Sequence, residues 1–218
     1  MIRWWIRVVA VCVAMAAVSG CAGIFGPRLR PVDDVAKGFY PYSADHLATI
    51  WFEDAAKHSY RYTFQPYNYE GRMCVVGICE DAGGTVLSHE LIESDAAKAV
   101  WHKMAVLDAK GKVTDNFRFG EGAMIIPQRV RVGMKWRFDK STETETYRVT
   151  REIRKIEAGK TALAQGRDVY ELVQHTQLIR PKADEVVTDY EYWAAGLGIV
   201  RWLDGLGNEY VVTKIERQ

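Results

Sequence analysis

Nine consecutive residues constrain this chain more than any other stretch. In Val130-Arg-Val-Gly-Met-Lys-Trp-Arg-Phe138, the apolar Val130, Val132, Met134, Trp136 and Phe138 alternate with Arg131, Gly133, Lys135 and Arg137. A period of two puts the apolar set on one face of a β-strand and the basic set on the other. That is the pattern of an antiparallel sheet with one dry and one wet face. Tyr60-Arg-Tyr-Thr-Phe64 repeats it with aromatics at every second position. Weaker candidates cover residues 85–92, 99–107, 113–119, 146–156, 167–178, 185–194, 198–203 and 209–215. Glycine- and Asp/Asn-containing stretches such as 82–84, 108–111, 120–122 and 204–208 supply turns. Roughly ten strands without βαβ alternation argue against a parallel sheet. A twisted sheet with one apolar face must curl around that face or cover it. The expected fold is therefore mainly β, a curled antiparallel sheet resembling a half-barrel. One N-terminal helix is expected over 42–57, with Ser43 as N-cap and Leu47, Ile50, Trp51 and Ala55 on one face.

The N-terminus has a different character. Arg3 and Arg7 precede an apolar run from Val8 to Val18, followed by Ser19-Gly20-Cys21. A basic segment, then an apolar one, then small residues is the order of a secretory signal peptide. The apolar run spans about 16 Å as a helix, roughly half of a hydrocarbon core, too short for a transmembrane anchor. From Cys21 to about Pro41 the chain is rich in Gly and Pro and lacks an apolar period, which reads as a tether. The expected organisation is thus a signal peptide at 1–20, a linker at 21–41 and a single β-rich domain at 42–218. The balance of 29 basic against 28 acidic side chains leaves no excess to neutralise phosphates, so nucleic acid is not an expected partner.

Val18-Ser19-Gly20-Cys21 resembles the bacterial lipobox, an aliphatic residue and two small residues before an invariant Cys. The resemblance implies that Cys21 is acylated and becomes the first residue of the mature chain, so that acyl chains hold the protein to the membrane and 21–41 is a lipid-anchored linker. In such lipoproteins an Asp after the Cys commonly favours the inner membrane. Ala22 here implies the outer one, facing the periplasm. Gly133-Met-Lys-Trp136 and the later Tyr192-Trp-Ala-Ala-Gly-Leu-Gly-Ile-Val200 resemble a pattern of uncharacterised bacterial envelope proteins, in which a "vG..W" strand precedes a "y.apGvGlV" hairpin. This chain has Ala195 where Pro is common. The resemblance spans about residues 123–218 and implies a β domain in the envelope, without a catalytic residue.

Few groups carry chemistry. Cys74 and Cys79 are expected to pair in an oxidising envelope, with two free thiols as the alternative. A continuous strand would hold their Cα atoms about 16 Å apart against the ~5.5 Å of a disulfide, so the bond requires a turn, which Gly77 can supply. No two of the five histidines stand at i,i+2 or i,i+4, and no cofactor motif occurs, so neither metal nor cofactor is expected. His89 and Glu90 begin like a zincin motif, but Glu93 stands where its second His belongs. The aromatic excess, 11% of residues, is expected to fill the core. The alternative is an apolar groove for an amphiphile formed by Tyr60, Tyr62, Phe64, Trp136, Phe138, Tyr190 and Tyr192.

The leading expectation is a non-enzymatic, lipid-anchored envelope protein whose β domain binds a protein or envelope component at the outer membrane. The first alternative is an amphiphile carrier, similar in style to half-barrel lipoprotein-localisation carriers. The second is a hydrolase with catalytic groups from distant strands. A filled core favours the binding module, a deep dry cavity the carrier, and histidines converging with carboxylates in a cleft the hydrolase.

Overall fold

The computed structural model describes residues 31–120, 123–179 and 186–218. The expected signal peptide, the lipobox with Cys21 and positions 21–30 of the expected tether lie outside the described residues. Thirteen strands follow one another: β1 (Ala48–Asp54), β2 (Ser59–Tyr69), β3 (Arg72–Asp81), β4 (Val86–Ser94), β5 (Lys98–Leu107), β6 (Val113–Phe119) and β7 (Met124–Pro127). After them come β8 (Lys135–Ser141), β9 (Thr146–Ala158), β10 (Asp168–Leu178), β11 (Val186–Ala194), β12 (Gly198–Leu203) and β13 (Glu209–Arg217).

The strands form one antiparallel sheet in the order β4-β3-β2-β1-β13-β12-β11-β10-β9-β8-β6-β5-β7, and β4 also pairs with β5. The order is therefore a ring: strands consecutive in the chain pair with one another except at β7, and the last strand, β13, pairs with the first, β1. The half-barrel expected from the sequence is thus a full barrel. Closure removes the two free edges that a curled sheet would leave. The broken strand β6/β7 fills one position in the wall: β6 pairs with the 103–107 end of β5, and β7 with the 98–100 end. Twelve strand positions therefore complete the circle.

The N-terminal helix is absent. Residues 48–54 form β1, in which Ala48, Ile50 and Phe52 are buried at every second position. Thr49, Ile50, Trp51 and Phe52 are β-branched or aromatic, and flanking strands β2 and β13 offer both edges for pairing. Leu47, Ile50 and Trp51 satisfied a helical period only because the apolar run is dense enough to fit either. The long alternation at 130–138 is likewise shortened. Gly133 adopts a φ of 85°, Val132 is 48% exposed, and β8 begins only at Lys135.

Barrel size explains the end of the expected tether. About eight strands can be filled by their own side chains, and about sixteen leave an aqueous channel. Twelve lie between, so the wall residues here need help. Phe39, Tyr40 and Tyr42, placed by the sequence in or beside the tether, are buried and enter the core. Tyr42 stacks on Phe64 with centroids 4.5 Å apart, and its hydroxyl donates to the Leu197 carbonyl. The buried Gln128 holds both backbone polar groups of one residue, accepting from Tyr40 N and donating to Tyr40 O, each at 2.9 Å. Gly196 N donates to Gly38 O at 2.8 Å. The segment thus plugs the barrel end that carries the β4–β5 and β11–β12 turns.

The outer wall is charged. Arg61, Lys135, Lys155 and Lys214 all have side chains at least half exposed there. A barrel that spans a bilayer carries an apolar band on that surface. This one keeps its apolar face inside.

Candidate functional site

Inside the barrel lies a cavity of about 450 Å³. Its body is apolar: Ile50, Phe52, Phe64, Trp101, Ile125, Phe138, Trp193, Trp202 and Val212 line it, and Tyr40 and Tyr42 of the plug form its floor. The opposite end reaches Asp204, in the turn between β12 and β13, so the cavity runs from the plug towards that end. Ser88, Lys140, Gln174 and Asp189 add polar atoms to the wall. Gln174 donates to Asp189 at 3.1 Å.

Strand alternation brings these side chains inward, including several charged ones. On β9 the inward face reads Tyr147, Val149, Arg151, Ile153, with one guanidinium among apolar groups. Arg151 is fully buried. Its Nη1 donates to the Ile125 carbonyl and its Nη2 to the Glu191 carboxylate. The Trp101 ring lies 5.2 Å away. Nε has no partner, the one such buried side-chain atom among the described residues. The arrangement has a structural cause. β8 meets β6 through only two residue pairs and makes no ladder with β7. The β7 carbonyls of Met124 and Ile125 are instead met by side chains, Trp136 Nε1 at 2.8 Å and Arg151 Nη1. Burial disfavours the charge on Arg151, and the Glu191 carboxylate beside it holds that charge in place.

Glu90 on β4 faces the same space and accepts from Trp101 Nε1 at 2.7 Å. Burial raises its pKa above the ordinary 4.5, while the hydrogen bonds from Trp101 and Tyr62 pull the other way. Burial similarly pushes the Cys79 thiol up to about 12 and draws Lys140 downward. These shifts describe an interior with little water to solvate charge.

The residues singled out in the sequence separate into groups. Tyr62, Phe64 and Phe138 line the cavity. Tyr60 packs beside it, stacked on Phe52 with centroids 5.2 Å apart, and Trp136 packs against the core. Tyr190 and Tyr192 belong to a second cluster with Ala164, Val169 and Val200, where the Arg201 guanidinium lies 3.7 Å over the Tyr192 ring. Asp189, Glu191 and Trp193 face inward in their place. Hydropathy selected the wrong face of β11 because the inward carboxylates are held by partners from β9 and β10. The signal available in the sequence was Arg151, a lone charge interrupting an apolar alternation.

Cys74 and Cys79 are free thiols on the continuous strand β3, so the expected disulfide is not formed. An odd spacing of five puts them on opposite faces. Gly77 makes no turn between them. Its missing side chain makes room for the Tyr62 ring, since a Cβ there would stand 2.0 Å from the Tyr62 hydroxyl oxygen. The lining of the cavity contains carboxylates and, among the described residues, no histidine.

No family model matches the chain, and no curated protein matches it. Two solved structures are similar to it. One, from Bacteroides fragilis NCTC 9343, is described as an exported protein with a YMCC-like fold. It is 16% identical, covers 83% of this chain and 99% of its own, and has a TM-score of 0.45. The other, described as a lipoprotein from Parabacteroides distasonis ATCC 8503, is 12% identical with the same coverages of 83% and 99% and a TM-score of 0.45.

Proposed function

We propose that this chain is a lipid-anchored envelope protein, held by acyl chains on Cys21, whose barrel takes an amphiphile into its interior. The observation that carries the proposal is the cavity of about 450 Å³, floored by the aromatic plug and walled by tryptophan and phenylalanine. That volume falls within the ~300–1,000 Å³ of small-molecule sites, which are likewise mostly apolar with a few placed polar groups. An apolar chain would lie against Phe64, Trp101 and Trp193. A polar head would find donors and acceptors at Lys140, Gln174 and Asp189. The carrier alternative thus gains over the surface-binding module, because the barrel core is not filled.

The test is a titration with cis-parinaric acid, a fatty acid whose emission rises in apolar surroundings. Saturable binding at one site per chain is expected. Ser88→Trp, which adds bulk inside the cavity, should weaken it by about tenfold or more, equivalent to ~1.4 kcal/mol. Circular dichroism establishes that the variant is folded. Absence of saturable binding, or equal binding by a folded Ser88→Trp, contradicts the proposal.

A further inference from the structure

We propose that Cys74, Glu93 and His102 form a site for a borderline transition-metal ion such as Zn²⁺ on the outer wall of the barrel, separate from the cavity. Their donor atoms, a thiol sulfur, a carboxylate oxygen and an imidazole nitrogen, all lie within 4.8 Å of one another. Among the described residues this is the one such group. Zinc binds sulfur at ~2.3 Å and nitrogen or oxygen at ~2.0 Å, so tetrahedral donors stand roughly 3.3–3.5 Å apart. The three groups need only small rotations to reach that spacing. A mixed sulfur, nitrogen and oxygen set suits Zn²⁺ and disfavours Mg²⁺ or Ca²⁺, which prefer oxygen alone.

The sheet itself assembles the site. Val75 pairs with Ile92, which sets Cys74 of β3 beside Glu93 of β4. On β5 the register shifts, with Ile92 opposite Trp101 and Leu91 opposite Lys103. His102 is the extra residue of that bulge. Trp101 keeps its inward place while His102 reaches Glu93, its Nε2 lying 2.9 Å from Glu93 Oε2. Re-aiming a side chain is what bulges beside sites commonly do. Cys74 is 1% exposed, whereas the His102 and Glu93 side chains remain 21% and 28% exposed, so an ion can enter from solvent and meet a preformed thiol. Arg72 donates to Glu93 at 3.3 Å, but its side chain is 63% exposed, and such a pair is readily broken. On binding, the thiol releases its proton to solvent, the imidazole binds as the neutral base, and water completes the coordination. The sequence hid this site because its three donors come from three strands at no motif spacing.

The full chain, purified reduced in non-ionic micelles without chelator, would be titrated with Co²⁺, which reports thiolate ligation by a sulfur-to-metal charge-transfer band. One equivalent should bind with that band, and Zn²⁺ should displace it. Cys74→Ser should abolish the band, and His102→Ala should weaken binding by about tenfold or more. Cys79→Ser, which removes the thiol on the opposite face, should leave both unchanged. No band in the parent chain, a band surviving Cys74→Ser, or undiminished affinity in His102→Ala would each overturn the proposal.

Discussion

At the scale of single residues, the interior is organised by polar groups that a dry barrel should exclude. Glu90 is the clearest. Its carboxyl is raised above 4.5 by burial, so folding favours the protonated form. Below pH 4.5 both folded and unfolded chains hold the proton, and the group costs nothing. As pH rises beyond that, the unfolded chain releases its proton first and gains stability relative to the fold. The loss is complete once the pH passes the folded value. Glu90→Gln keeps an acceptor for Trp101 Nε1 without the ionisation. It is expected to raise the melting temperature at neutral pH, with the gain shrinking on acidification towards and below pH 4.5. Thermal melts across that range measure it, and a pH-independent difference would contradict the account. Arg151 follows a different logic. Its charge is retained because Glu191 and the Ile125 carbonyl need a donor where the β7–β8 ladder is missing.

At the scale of elements, the broken β6/β7 strand sets the local energetics. Trp136 fills space beside it and closes a backbone hydrogen bond to Met124 O. Trp136→Ala should cost about 3–5 kcal/mol. Trp136→Phe keeps most of the ring and loses the bond, for about 1–2 kcal/mol. Arg137, exposed on the other face, should change stability by no more than about 0.5 kcal/mol when replaced by Ala. Denaturant melts check this order, and a larger cost at Arg137 would reverse the assigned faces of β8. The same element shows how far the sequence could be read. The alternation correctly separated Trp136 and Phe138 from Lys135 and Arg137, yet it ran on through residues 130–134, where Gly133 holds a left-handed turn. β6 falls where expected, at Val113–Phe119. β3 was hidden because both its faces are apolar, Val75 and Cys79 inward against Val76 and Ile78 outward, so no period marked it. Tyr62, Phe64 and Phe138 were legible as inward aromatics. Glu191 and Asp189 were not, because their inward position depends on Arg151 and Gln174, partners fifteen or more residues away on other strands.

At the scale of the whole molecule, closure is the property least visible locally. It depends on β13 meeting β1 after the meander has travelled the full circuit, and each strand's own pattern is indifferent to that. Closure at twelve positions, rather than eight, is what leaves room for Phe39, Tyr40, Tyr42 and a remaining cavity. The central claim is that this space receives an apolar chain, and tryptophan fluorescence can test it directly. Trp101, Trp193 and Trp202 line the cavity, whereas Trp51 lies on the outer wall with Lys214 Nζ 4.8 Å above its ring. Bromine quenches indole emission only at close contact. With stearic acid brominated along its chain, variants retaining only Trp101 or only Trp193 should be quenched saturably, while a variant retaining only Trp51 should not. Equal quenching of Trp51, or none at the cavity tryptophans, would contradict the account.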